Sequence, residues 1–265
     1  MKKIFLLLLM MLMISGCGEE KVSENVNTAK TGGTITVGID EFAPFGFTDE
    51  SGNVVGFDVD LAKEVSKRMG VEVNFKFIEW ANKEYEISYG RVDMIWNGCD
   101  IMDDYNRYMI FSRPYMDNRQ IILVAAGNPH GIHGVENLAG KIVGTQAGSS
   151  SEFYIDDNEE LKKSFAEFKT YVRIAEGFAG LSTGEYDALI IDEAAAHFEM
   201  KKKPDAFEVV DVTVGSLQKI GVGFRKDNVE LRDKVQAAFD EMIADGTAKK
   251  ISERWFGADL IKTQK

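Results

Sequence analysis

Cysteine is nearly missing from this chain: only Cys17 and Cys99 occur in 265 residues. If Cys17 is used elsewhere, Cys99 has no partner, so no disulfide framework substitutes for a packed core. Histidine is also scarce. His130 and His133 are spaced H-x-x-H, but in a Gly/Pro-rich stretch with no nearby cysteine or carboxylate partner, which reads as a solvated loop and not a metal site. No Gly-rich phosphate loop of Walker type and no G-x-S-x-G nucleophile elbow is present. Acidic residues are abundant, yet no two of them can be shown from sequence to converge as a catalytic pair. Positive charge is in deficit. The formal net charge is −12, and losing Lys2 and Lys3 with a leader removes two positive charges and gives −14. That excess argues against nucleic acid or an anionic membrane surface as partner. After the N-terminus, no apolar run of bilayer-spanning length follows.

What is present suffices for a full core, since 45% of residues are hydrophobic, enough for one large domain or two modest lobes. The N-terminus is specific. Lys2-Lys3 precedes an apolar run of eleven residues, Ile4 to Ile14, closed by Ser15-Gly16-Cys17. Eleven residues are too few to cross a bilayer, so 1–16 is expected to be a leader. Met13-Ile14-Ser15-Gly16-Cys17 is similar to a bacterial lipobox, which implies lipidation of Cys17 and anchoring to the outer face of the cell membrane. Residues 17–33 are polar and without periodicity, as a flexible tether would be.

From Thr34 the pattern becomes regular. Thr34–Ile39 alternates and is β-branched, a strand ending at Asp40, with Phe42-Ala43-Pro44-Phe45 as the following turn. Ser51-Gly52-Asn53 marks a hairpin, Asp58 suits a helix N-cap, and Leu61, Val65 and Met69 form a stripe ending at Gly70. Val71–Ile78 is strand-like again, completing strand–helix–strand, the unit of a parallel α/β sheet. Val92–Trp96 is a short apolar strand broken by Asn97-Gly98; Trp96 is assigned to the core. In open α/β sheets, such carboxyl ends of strands are where ligands bind. Gln146-Ala147-Gly148-Ser149-Ser150-Ser151 opens a helix whose free N–H groups and hydroxyls suit an anion or a plain N-cap. Tyr186–Ile191 is a buried strand ending at Asp192, and Asn228–Ile243 is an amphipathic helix.

In order, VGIDEFAPFGFTDESGNVVGFDVDLAKEVSKRMGVEV, VDMIWNG, IFSRPYMDNRQIILV, NLAGKIVGTQAGSSSE and YDALIIDEAAA resemble the solute-binding proteins of polar amino-acid ABC transporters over about 34–257. The resemblance implies an α/β, two-lobed fold of the type II periplasmic-binding-protein kind. Each lobe would be a mostly parallel sheet flanked by helices, and two hinge strands would join them. One lobe would be 34–121 plus 217–257 and the other 126–210, with crossings at 121–125 and 209–214. It further implies a monomer that closes on a small ligand and serves a membrane ABC permease, without cofactor or metal. A periplasmic enzyme on the same fold, such as a cyclohexadienyl dehydratase, and a ligand-sensing protein are the alternatives. The implied ligand residues are Asp40, Phe42, Trp80, Asn97, Gly98, Asp100, Tyr105, Gln146, Ser150 and Asp192, the last meeting an ammonium group.

One segment departs from the family's pattern, which after the strand reads Ser/Asn-Gly-x-Thr/Ser-Ile-Thr-x-x-Arg and holds the ligand's carboxylate. Here Asp100 stands at the hydroxyl position and Tyr105 at the arginine position, with Arg107 two residues on. A desolvated carboxylate needs a charge-assisted partner. Losing Arg and gaining Asp100 therefore favours a cation, with ring faces available from Phe42, Trp80 and Tyr105. The alternative is that Arg107 takes over the carboxylate, although two residues on a helical turn point a side chain about 200° away.

Overall fold

The computed structural model describes residues 33–262, so the leader, Cys17 and nearly all of the tether lie outside the described residues. The chain opens with β1 (Thr34–Ile39) and a small hairpin of β2 (Phe47–Thr48) and β3 (Val54–Val55). Helix α1 (Phe57–Met69) follows, burying Leu61 and Val65 and ending at Gly70 in the left-handed conformation that glycine adopts without strain. Its N-cap is Gly56, not Asp58; Asp58 lies inside the first turn, wholly buried. Then come β4 (Glu72–Phe77), the short α2 (Lys83–Ser88), β5 (Met94–Ile95), β6 (Met109–Phe111) and the long β7 (Met116–Ala125). The next part holds β8 (Ile142–Gln146), α3 (Ser150–Asp157), α4 (Glu159–Ser164), β9 (Glu167–Tyr171) and α5 (Ile174–Thr183). It continues with β10 (Ala188–Asp192), α6 (Glu193–Lys202) and the long β11 (Phe207–Ile220). Last are β12 (Gly223–Arg225), α7 (Val229–Ala244), capped by the Asn228 side chain, and α8 (Thr247–Phe256).

These strands form two five-stranded sheets, ordered β4-β1-β5-β12-β6 and β11-β7-β10-β8-β9. In each, four strands run one way and one the other, β12 in the first sheet and β7 in the second, so the sheets are mixed. The first lobe's core packs Val37, Ile39, Phe57, Leu61 and Met94 with Trp96, whose ring meets Tyr115 and Phe239. In the second lobe, Ile122, Val124, Val143, Ala188 and Ile190 pack under Ile155 of α3. Burying these aliphatic side chains is worth about 1.5–3 kcal/mol each.

Strands β7 and β11 run on together past the second sheet towards the first. Residues 121–125 and 209–210 lie within the second sheet, where Ile121, Ile122 and Leu123 pair with β10. Beyond the last β10 pair, Asp192 with Gln120, the two strands continue alone: Asn118 opposite Gln218, Asp117 opposite Lys219, Met116 opposite Ile220. This ribbon joins the first lobe where Ile101 N–H donates to Lys219 O and Gly221 N–H donates to Cys99 O. It therefore runs directly beneath Asp100.

Candidate functional site

The carboxyl ends of β1 and β5 lie side by side in the first sheet, and a network of buried polar groups fixes the loops that follow them. Asn97 Oδ1 accepts from Asp40 N–H at 2.7 Å, tying the two strand ends together. Gly98 has φ 61°, and a Cβ there would press on the rings of Phe42 and Phe45, so glycine is required on both counts. The Gly98 N–H donates to Asp58 Oδ2 at 2.6 Å, while Tyr115 O–H donates to Asp58 Oδ1 at 2.7 Å. Burial pushes the Asp58 carboxyl up to about 7 despite these bonds. Asp58 is thus the buried post on which the Asn97-Gly98 turn is set.

The second lobe faces this floor with the ends of β8 and β10 and the start of α3. Gln146 Nε2 donates to Asp40 Oδ2 at 2.6 Å, and Ser150 O–H donates to Asp100 Oδ2 at 2.6 Å. Asn118, on the ribbon, donates its amide to Asp100 Oδ1 at 2.9 Å and also to Asp192 Oδ1. Asp192 stands at the start of α6 but makes no capping bond there. Gly148 brings its backbone against Ala81, and its carbonyl accepts from Tyr105 O–H at 3.0 Å and from Lys83 Nζ at 2.6 Å. Both lobes thus touch across the cleft through named polar pairs.

All ten residues singled out from the sequence line one cavity, together with Ser149. Its volume is about 20 Å³, room for about one water, so the lobes are closely apposed. Burial drives its acids upward: Asp100 to about 7, helped by the charge of Asp192, Asp192 to about 6, and Asp40 to about 6 against its hydrogen bonds. The Cys99 thiol below them is pushed up to about 12 by burial, which leaves it protonated and unreactive.

Two features, Lys83 and Asn118, escaped the sequence, and the place of Arg107 follows from helical geometry. Lys83 is buried, with its ammonium 5.0 Å from the Trp80 ring centre and 4.6 Å from that of Tyr105, so those ring faces already hold a cation. Asn118 bridges two acids from within a strand. Arg107 points away from the cavity, exposed, and donates to Glu84 at 2.8 Å, so it is not positioned to hold a ligand carboxylate. His130 does have a carboxylate neighbour, Asp187 at 3.0 Å, but no cluster of three metal-ligating side chains occurs among the described residues.

A larger groove, about 790 Å³, runs between α6, the ribbon and the C-terminal segment, past Phe198, Leu217, Trp255 and Ile261. Several of its charges are already paired: Arg119 with Glu193 and with Asp211 beside the groove, Lys262 with Asp117. Among the described residues, three carboxylates whose pKa burial raises, Asp40, Asp100 and Asp192, converge on the smaller cavity, which makes that one the candidate site.

Residues 35–258 match the family model of bacterial extracellular solute-binding proteins, family 3. The chain belongs to that family. Among curated relatives, the L-cystine-binding protein TcyJ of Escherichia coli is 33% identical over 238 residues, covering 89% of this chain and 88% of that protein. The ABC transporter arginine-binding protein 1 of Escherichia coli is 27% identical, covering 81% and 87%. Among solved structures, an ABC uptake transporter substrate-binding protein from Streptococcus pneumoniae with bound histidine superposes with a TM-score of 0.82 at 34% identity, covering 87% of this chain and 95% of that one. An ancestral arginine-binding protein bound to arginine gives 0.79 at 36% identity, covering 86% and 100%. Such likeness identifies the fold as the two-lobed binding-protein fold and the chain as a binding protein of ABC transport, not an enzyme.

Proposed function

We propose that this family-3 chain captures a small solute bearing an ammonium group, an amino acid or a related cationic amine, by closing its lobes, and delivers it to an ABC permease. The observation that carries this reading is the placement of Asp100 and Asp192. They come from opposite lobes, Asp100 buried and Asp192 half-buried, and both accept from one Asn118 amide. Two carboxylates on one nitrogen repel each other, and a cation between them relieves that repulsion and replaces lost hydration. Asp40 adds a third acid on the same wall, and Gln146 and Ser150 supply hydroxyl and amide groups from the second lobe. A ligand bound to both lobes stabilises the closed state by its differential contacts alone, which is the signal a permease would read.

Lobe limits follow the sheets, with the ribbon of 116–119 and 217–220 as the hinge. The protein acts as a monomer outside the cytoplasm, tethered by a lipidated Cys17. Support for the ligand class comes also from relatives named for binding cystine and arginine. A thermal-shift panel of amino acids, polyamines and quaternary amines tests the reading. A binder should raise the melting temperature and be recovered chemically unchanged; a panel that gives no shift, or a ligand converted to product, contradicts it.

A further inference from the structure

The Trp80 and Tyr105 rings line the candidate cavity, and Lys83 occupies the space between their faces. Lys83 opens α2 and is only 3% exposed. Its ammonium is held by carbonyls, donating to Trp80 O at 3.3 Å in its own lobe and to Gly148 O at 2.6 Å in the other. Tyr105 O–H donates to the same Gly148 carbonyl, which fixes the ring that Lys83 covers. The protein thus supplies, from its own chain, the cation that an aromatic cleft would otherwise take from a ligand. A ring face already covered by one ammonium repels a second, and the space is filled.

What remains for a ligand cation is the set of carboxylate oxygens on Asp100, Asp192 and Asp40, with the single Phe42 ring beside them. Carboxylates recognise N–H donors through short charge-assisted bonds, and a quaternary ammonium has no N–H to give. We infer that Lys83 is a selectivity residue: by filling the Trp80–Tyr105 cleft it shuts out quaternary amines and restricts ligands to N–H-bearing cations, primary ammonium or guanidinium. This rests on the ammonium-capture reading above and narrows its substrate class.

The test is calorimetric titration with two matched pairs, ethanolamine against choline and L-lysine against its Nε-trimethyl derivative. Wild type, Lys83→Ala and Lys83→Met are compared, with Lys83→Ser in place of Lys83→Ala should that variant not fold. Wild type is expected to prefer the N–H member of a pair by about tenfold or more, the equivalent of one lost charge-assisted contact. Lys83→Ala empties the cleft and should cut that preference by about tenfold, the worth of a desolvated cation–ring contact. Lys83→Met keeps the cleft filled without charge and should retain the wild-type ratio. The inference is overturned if wild type binds the trimethylated member as tightly, or if emptying the cleft leaves the ratio unchanged. In the latter case, N–H members that still bind, and are lost in Asp100→Asn, leave ammonium capture standing. If no probe binds wild type or any variant, both readings fall together.

Discussion

Asp100 and Asp192 reach one Asn118 amide from opposite lobes, Asp100 at 2.9 Å. Bringing two carboxylates onto one nitrogen inside a cavity is unfavourable while both are ionised, and either a proton or a cation between them relieves it. On the reading proposed above a bound ammonium takes the place between them, and most of what can be tested follows from that.

Removing one of the two charges should be costly to binding. Asp100→Asn is expected to weaken binding of an ammonium ligand by about 3–5 kcal/mol, the cost of a desolvated charge losing its partner. Asp100→Thr combined with Tyr105→Arg should move preference towards α-amino acids. Calorimetry on both variants decides. Unchanged affinity in Asp100→Asn would remove Asp100 from the site.

Acidity gives two opposite slopes. Burial holds Asp100 up at about 7 and Asp192 at about 6, above the ordinary carboxylate value of 3.8. Between those limits the folded chain keeps protons that the unfolded chain has lost, so these groups lower ligand-free stability as pH rises from about 4 to about 7. Ammonium binding needs the ionised carboxylates, so affinity should rise over pH 5 to 7.5. Asp100→Asn should flatten both slopes, read by melting temperature and calorimetry. A binding affinity that falls with pH over this range would contradict the assignment.

Closure depends on one glycine. Gly148 has φ 74°, and a Cβ there would come within 2.7 Å of Ala81 Cα in the other lobe. Gly148→Ala should strain the backbone by about 1–3 kcal/mol and hold the lobes apart. Scattering should show a radius of gyration that stays at its ligand-free value when ligand is added. Normal compaction would show that the lobes meet differently.

Cys17 is expected to begin the mature protein and to carry lipid. Its place after Ile14-Ser15-Gly16 and an eleven-residue apolar run motivates this. One acyl chain anchors only marginally, so several are expected. Mass spectrometry of the mature N-terminus reads it directly, and an unmodified start beyond Cys17 would sink the idea.

Local chemistry was legible in the sequence and long-range partnership was not. Thr34–Ile39, Leu61/Val65 and Asn228–Ile243 carried their periodicity openly, whereas the gathering of Asp40, Asn97 and Asp192 on one cavity was implied only by the resemblance to solute-binding proteins. Asp58 looked like a cap because caps are local; its true partners, Gly98 and Tyr115, lie 40 and 57 residues away. Lys83 carried no signal, since a lysine beside glutamates suggests a solvated helix and its Gly148 partner is 65 residues on. Ile121–Val124 is apolar because it is buried in the second sheet, while polar Asp117-Asn118 gives no sign in the sequence of the two-stranded ribbon it forms. Tyr105 and Arg107 separated as helical geometry requires, one buried and one exposed.

Scattering during titration of wild type and Asp192→Asn with a panel ammonium ligand bears most directly on capture by closure between two acids. Wild type should bind and compact, and Asp192→Asn should do neither at the same concentrations. Binding and compaction that persist undiminished in Asp192→Asn would contradict it.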